Sequence, residues 1–199
     1  AAVSGLPLDK AEEASHVLKL NAALEETRID LMDLFVGRGF PLRLANEVIN
    51  KWGVHAPDRI RRDPFSLLVE GFKGCGFARC DRLYTDLGLP LDSLKRQMIC
   101  LWNAMQEQNN GHTWHPLWSI TSQMKRLVSG NVRPEKAIEL GTRSGWLVVR
   151  GEEKDRWIAI GHYAKNESQL AWSISRLIES VMNPYGIKEG ENDADANQD

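Results

Sequence analysis

The chain of 199 residues lacks several features that mark common functional classes. It has no apolar run long enough to span a membrane and no signal-peptide pattern at its start, so we expect no membrane partner. It has no Gly-x-x-x-x-Gly-Lys-Ser/Thr loop to hold ATP phosphates and no Gly-x-Ser-x-Gly nucleophile motif. We therefore expect no catalytic residues, no cofactor and no enzymatic activity in this chain.

Cysteine is also scarce, with three residues at positions 75, 80 and 100. An odd, low count fits a reducing compartment better than a disulfide framework, which predicts a cytoplasmic protein. A nucleoid-associated location is expected only together with DNA binding. His112 and His115 have the spacing of a metal pair, but no third ligand lies near them in the sequence. We expect no metal site.

The net charge of −2 is unevenly distributed along the chain. Residues 1–35 hold three basic and seven acidic side chains, and residues 183–199 hold one basic and five acidic ones. Residues 36–82 reverse the balance, with nine basic and five acidic side chains. A local basic excess is the electrostatic pattern of a nucleic-acid contact, although a mixed solvated surface gives the same count.

The basic segment contains a Gly-x-Gly turn formed by Gly74, Cys75 and Gly76. It lies between an apolar helix end and a second short helix, which is the pattern of a helix-hairpin-helix. Glycine permits a turn with positive φ, and the helix that follows presents unpaired N–H groups and a positive dipole end. These groups suit a nucleic-acid phosphate, while a plain helix–helix turn would show the same pattern.

Two segments have this form: hairpin one (residues 36–54) and hairpin two (residues 67–89). Hairpin one is degenerate, because Pro41 follows its glycine turn and the small residue Ala45 comes later than in hairpin two. The predicted phosphate-binding residues are Lys73, Gly74, Gly76, Phe77, Arg79 and Arg82 in hairpin two, and Gly37, Arg38 and Gly39 in hairpin one.

Apolar periodicity predicts a mainly helical fold with one β-hairpin. The expected helices cover residues 11–35, 42–52, 64–69, 77–87, 92–109, 117–128, 134–143 and 167–182, and the expected strands cover 146–150 and 156–160. The last helix is expected to start with a capping box at Asn166 and Gln169. Its apolar side chains, expected to be buried, are Leu170, Ile174, Leu177, Ile178 and Val181.

Tryptophan is abundant, with seven residues. Trp52, Trp102, Trp157 and Trp172 fall on apolar faces or strands, so we expect them in the core. Trp114 and Trp118 lie by a loop and are the remaining candidates for stacking on nucleic-acid bases, although core packing is the favoured interpretation of both.

We expect four segments. Residues 1–35 form a helical lead-in that includes a possible remnant of a preceding hairpin, and residues 36–90 form a tandem helix-hairpin-helix. Residues 91–182 form a winged-helix-like α+β domain, because three helices precede a β-hairpin. Residues 183–199 form a disordered acidic tail.

Several motifs in register resemble one family. Residues 44–45, 52–53 and 62–67 are similar to the "L-A…Y-G…N-P-Y-x-L" stretch of RecD/TraA-type superfamily 1 DNA helicases. Residues 73–82 resemble the "x-G-I-G-F-x-x-A-D-x" hairpin of that family, and residues 111–116 resemble its "G-H-T-Y-L-P" segment.

The resemblance implies the N-terminal accessory region that precedes the helicase motor, without the motor itself. It implies sequence-independent binding to the backbone of single-stranded or duplex DNA, in recombination, repair or DNA processing. An alternative is a protein-interaction scaffold that docks on a helicase motor or a partner subunit. Cys75 and Cys80 depart from the family pattern, which has isoleucine and alanine at these positions.

Overall fold

A computed structural model describes residues 7–108, 111–152 and 155–182. The chain divides into two compact units, unit one (Ala1–Leu91) and unit two (Asp92–Asp199). The described residues are mainly helical with a small antiparallel sheet, which confirms the predicted fold class. The predicted disordered tail at residues 183–199 lies outside the described residues.

The described part of unit one contains helices and turns and no strand. Its elements are α1 (Leu8–Phe35), α2 (Leu44–Trp52), a 3-10 turn (Gly53–His55), α3 (Ala56–Arg62), α4 (Ser66–Val69) and α5 (Phe77–Asp86). The helix α3 was not predicted from the sequence. It follows the 3-10 turn directly and has Pro57 in its first turn, where the missing N–H of proline costs no helical hydrogen bond.

Only the second half of α1 is packed. Its buried residues are Thr27, Leu31, Leu34 and Phe35. Val17 and Leu20, which the sequence predicts on the same buried face, are 48% and 49% exposed. That part of the prediction is wrong, because α2 and α3 cover only the C-terminal half of the helix.

Aromatic rings in the core of unit one pack the start of α4 against α5. Its fully buried large side chains are Leu31, Leu44, Ile60, Phe65, Leu67 and Leu83. The Phe65 ring lies 6.0 Å from the Phe77 ring and 5.2 Å from the Tyr84 ring, measured between centroids. Phe77 is the first residue of α5, so this packing fixes the start of that helix against the core.

Unit two alternates helices and short strands. Its elements are α6 (Leu94–Glu107), β1 (Trp114–Pro116), α7 (Leu117–Leu127), α8 (Pro134–Arg143), β2 (Leu147–Arg150), β3 (Trp157–Ile160) and α9 (Gly161–Met182). The sheet is antiparallel in the order β1-β3-β2, with His115 opposite Ile158 and Val149 opposite Ile158. The β2–β3 hairpin agrees with the sequence, whereas β1 was missed because it has only three residues and ends in proline.

A buried glutamine orders the loop between α7 and α8. Gln97 is fully buried, and its amide donates to the carbonyls of Asp92 and Asn131 at 2.7 and 2.9 Å. Its oxygen accepts a hydrogen bond of 2.7 Å from the Arg133 backbone. Each polar atom of the amide group therefore has a partner, as burial requires.

The helix α9 departs most from the sequence prediction. It begins at Gly161, directly after β3, so Asn166 and Gln169 lie inside the helix and do not cap it. Only Gly161 and Ala164 are buried along its described length. The predicted core residues Leu170 and Trp172 are each 62% exposed, so the predicted buried face is wrong.

The other tryptophans of unit two are mixed in exposure. Trp157 is 39% exposed, against the prediction that it lies in the core, and Trp118 is 69% exposed, against the favoured interpretation of core packing. Trp114 stacks under the Arg150 guanidinium at 4.0 Å and donates to Glu167. In the part of the chain that the structure describes, no helix has both the length and the apolarity needed to cross a bilayer.

Candidate nucleic-acid interface

The turn of hairpin two is held by one glycine in the left-handed region at each end. Gly71 and Gly74 have φ angles of 73° and 81°. Cys75 follows Gly74, and its N–H donates to the Phe72 carbonyl at 3.1 Å. The Cys75 side chain is buried, with 3% of its surface exposed. The buried side chain anchors the turn in the core of unit one.

Gly74 is required by the structure of unit one itself. Its φ of 81° is costly for any residue with a side chain. A Cβ atom built at this position would lie 2.6 Å from Cγ of Pro41, which is far inside van der Waals contact. Hairpin two therefore packs against hairpin one at a point where only glycine fits.

Gly76 is different, because nothing inside the protein requires glycine there. Its backbone is extended, with φ −72° and ψ 167°, a conformation open to every residue. A Cβ atom built on Gly76 meets no described atom within 4 Å. The missing side chain leaves the surface open in front of the start of α5.

The exposed start of α5 presents free backbone donors. The first hydrogen bond of the helix runs from the Cys80 N–H to the Gly76 carbonyl at 3.2 Å. The amides of Phe77, Ala78 and Arg79 precede it and so have no carbonyl of their own helix to bind. Gly76 is the N-cap residue and has no side chain to cap them, so the positive end of this ten-residue helix faces the surface.

Three cations lie in the turn before α5 or on the helix itself: Lys73, Arg79 and Arg82. Lys73 and Arg82 are exposed and form no ion pair with any residue that the structure describes. Arg79 is exposed too, and its guanidinium donates to the Gly74 carbonyl. Arg79 and Arg82 are three residues apart and share one face of α5.

Most other cations of the basic segment are bound within unit one. Lys51 and Arg59 both contact the Glu70 carboxylate, at 2.6 and 2.9 Å, and Lys51 is the main reason that the pKa of Glu70 is lowered. Arg61 forms a two-pronged contact with Asp30. Among the basic residues of this segment, Arg62, Lys73, Arg79 and Arg82 form no ion pair with a described residue, and the last three of them lie in hairpin two.

Hairpin one contains the other predicted phosphate-binding residues, Gly37, Arg38 and Gly39, which have different contacts from those of hairpin two. Gly37 and Gly39 have φ angles of 73° and 78°, so both serve the turn. Arg38 donates to Asp86 at 2.7 Å and to the Leu34 carbonyl at 2.8 Å, which caps the end of α1. The structure brings the two hairpins together, since a Cβ built on Gly39 would lie 3.4 Å from Nε of Arg79.

Pro41 is the residue of this region that the sequence interpretation missed. It was taken as a departure of hairpin one from the repeat pattern, whereas it forms the contact with Gly74. No local signal in the sequence pairs these two residues, because they lie 33 positions apart along the chain.

Cys75, Cys80 and His115 are buried, and burial shifts the pKa of each side chain. Burial raises the pKa of the Cys75 thiol to about 11 and that of Cys80 to about 12, so both are protonated at neutral pH. Burial, with a smaller effect of His112, lowers the pKa of His115. Over residues 7–108, 111–152 and 155–182, no group of three His, Cys, Asp or Glu side chains could hold a metal ion.

Two glycine turns that join helices and pack against each other give unit one the form of a tandem helix-hairpin-helix. Residues 25–114 match the family model described as the HHH domain of the ATP-dependent RecD2 DNA helicase. The match confirms the resemblance of this segment to the N-terminal accessory region of RecD-like helicases. No family model of an ATPase or helicase motor matches. No curated protein matches the chain.

Proposed function

We propose that this chain is a non-catalytic, sequence-independent DNA-binding accessory region of a RecD-like helicase. Hairpin two holds a DNA phosphate through the backbone N–H groups of Gly76 and Phe77, while Lys73, Arg79 and Arg82 add positive charge. Contacts of this kind position DNA without reading its bases. The protein acts in recombination, repair or DNA processing, in the cytoplasm on the nucleoid.

The observation that carries this proposal is the open surface at Gly76. Glycine is unnecessary there for the backbone conformation or for packing, but it lets a phosphate approach the amides at the start of α5. Gly74, two residues earlier, is explained by the fold alone. The two glycines of one motif therefore have separate roles, one for the turn and one for the ligand.

The prediction that Gly37, Arg38 and Gly39 bind phosphate stays a prediction. The Arg38 guanidinium already contacts Asp86 and the end of α1, so we assign it the role of bracing hairpin one against α5. The described start of α2 also differs from that of α5, because Pro41 near it has no N–H to donate.

For unit two we infer a winged-helix arrangement. The order α6-β1-α7-α8-β2-β3, with sheet order β1-β3-β2, supports it. We retain the proposed domains at residues 36–90 and 91–182, with residues 1–35 as a helical lead-in. The exposed side of α8 carries acids beside bases, for example Glu139 next to Arg143, which does not favour a DNA phosphate.

A second candidate function is a scaffold that docks on a helicase motor or a partner subunit. The exposed apolar side chains of α9, including Leu177 at 65% and Val181 at 75%, favour it. Analytical ultracentrifugation with the cognate motor tests this candidate. A fragment that binds DNA but never the motor would exclude it.

We expect Gly76→Val to lower DNA affinity about tenfold without unfolding the protein. The isopropyl group covers the α5 amides, and the loss of one phosphate contact at low salt has about this effect. Valine adopts the extended backbone of Gly76 readily, so the free energy of unfolding should fall by no more than about 1 kcal/mol. Fluorescence anisotropy with labelled DNA measures the affinity, and urea unfolding measures the stability.

The matched control is Thr85→Val, which lies on the same helix and keeps the side-chain size. Gly76→Ala should give an intermediate affinity, because a methyl group covers less of the amides. Equal affinities for the wild type and Gly76→Val would contradict phosphate binding at this turn.

A further inference from the structure

An apolar cavity lies on the outside of hairpin one. Its volume is 430 Å³, and its side-chain lining is formed by Met32, Phe35, Val36, Phe40, Pro41 and Leu42. Backbone of the glycine turn, at Gly37 and Gly39, completes the wall. No charged side chain lines it, so the cavity suits an apolar or aromatic group.

Buried aromatic side chains form the bottom of the cavity, and exposed aliphatic side chains form its rim. The rings of Phe35 and Phe40 lie 5.0 Å apart between centroids, and both side chains are buried. Val36 and Leu42 on the rim are 64% and 80% exposed. Two exposed aliphatic side chains around a preformed apolar cavity are costly in water, and such surfaces mark binding sites.

The cavity borders the cationic turn of hairpin two. Pro41 lines the cavity and also packs against Gly74, and Gly39 lies beside the Arg79 guanidinium. An apolar site and a site for negative charge therefore share one edge. A nucleotide has this pair of properties, because an aromatic base and a phosphate are joined through one sugar.

We propose that the cavity of hairpin one takes an unpaired base of single-stranded DNA, while hairpin two holds a phosphate of the same strand. This inference rests on the proposed function, since it places the base beside the proposed phosphate site. Every base has apolar faces, so binding is tolerant of sequence. In a duplex the bases are paired and stacked, so the cavity favours single strands.

The arrangement also gives hairpin one a role distinct from that of hairpin two. Arg38 is bound to Asp86, and Pro41 lacks an N–H, so hairpin one is poorly equipped to hold a second phosphate. Its exposed apolar residues instead complement the cations on the other side of the Pro41–Gly74 contact. The two hairpins then bind different parts of one strand.

The test compares a short oligothymidylate with an abasic oligomer of the same length and phosphate count, by fluorescence anisotropy at low salt. The wild type should bind the thymidylate about tenfold more tightly, as expected for one buried base. The double variant Val36→Ser with Leu42→Ser should bind both oligomers equally. Both side chains are exposed, so the variant should fold normally, which urea unfolding checks.

The outcomes separate this inference from the proposed function. Equal binding of the two oligomers by the wild type would overturn the base site and leave the phosphate site standing. An undiminished preference in the double variant, or tighter binding of duplex than of single strands, would also overturn it. Failure to bind either oligomer at low salt would instead overturn the proposed function on which the inference rests.

Discussion

Gly74→Ala should lower the free energy of unfolding of unit one by about 3 kcal/mol. A side chain at φ 81° costs about 1–2 kcal/mol, and the clash of the new methyl group with Pro41, 2.6 Å away, adds about 1–3 kcal/mol. The pyrrolidine ring cannot rotate away as a flexible side chain could. Urea unfolding followed by circular dichroism measures the change.

The control for this prediction is Gly76→Ala, in the same motif. Its backbone is extended and its surroundings are open, so the free energy of unfolding should change by less than about 1 kcal/mol. Equal losses in the two variants would contradict the division of roles between the glycines. The loss of DNA affinity should instead be larger in Gly76→Ala than in Gly74→Ala, when Gly74→Ala is assayed under conditions where it is folded.

Reversing two charges at hairpin two should weaken DNA binding about 100-fold at 50 mM salt. Lys73→Glu with Arg82→Glu removes two phosphate contacts, and the affinity scales with salt to a power of about 0.9 per contact. The slope of log affinity against log salt should therefore become shallower by about 2. Anisotropy titrations at several salt concentrations give both quantities.

The matched control is Lys10→Glu with Lys19→Glu, on the exposed half of α1. It changes the net charge by the same amount within unit one, but far from hairpin two in the sequence, and both lysines are exposed. We expect a change in affinity of less than about threefold. A comparable loss in both double variants would mean that net charge alone controls binding and that hairpin two is not the site.

The sequence predicted the local structure of hairpin two well, because short-range effects determine it. Gly74 permits the turn, Cys75 is buried as its apolar character requires, and α5 begins directly after Gly76. The sequence failed where tertiary packing decides. Leu170 and Leu177 on α9 lie at helical spacing, but spacing does not reveal whether another element covers them.

The candidate site, too, could be predicted from the sequence only in part. Counting charges identified the basic segment, but not that Glu70 binds two of its cations or that Asp86 binds Arg38. These partners lie 11 to 48 positions away along the chain, beyond the reach of local patterns. The cavity of hairpin one was missed for a related reason, since Gly39 was interpreted as a phosphate-binding residue and Pro41 as a departure from the repeat pattern.

Binding of a DNA phosphate by the backbone amides at the start of α5 is the basis of the proposed function. Titration of the ¹⁵N-labelled protein with a short DNA oligomer, followed by amide resonances, tests it most directly. We expect the amides of Gly76, Phe77 and Ala78 to shift most, and we expect the shifts to disappear at high salt. Saturable shifts confined to unit two, with the hairpin-two amides unmoved, would contradict it.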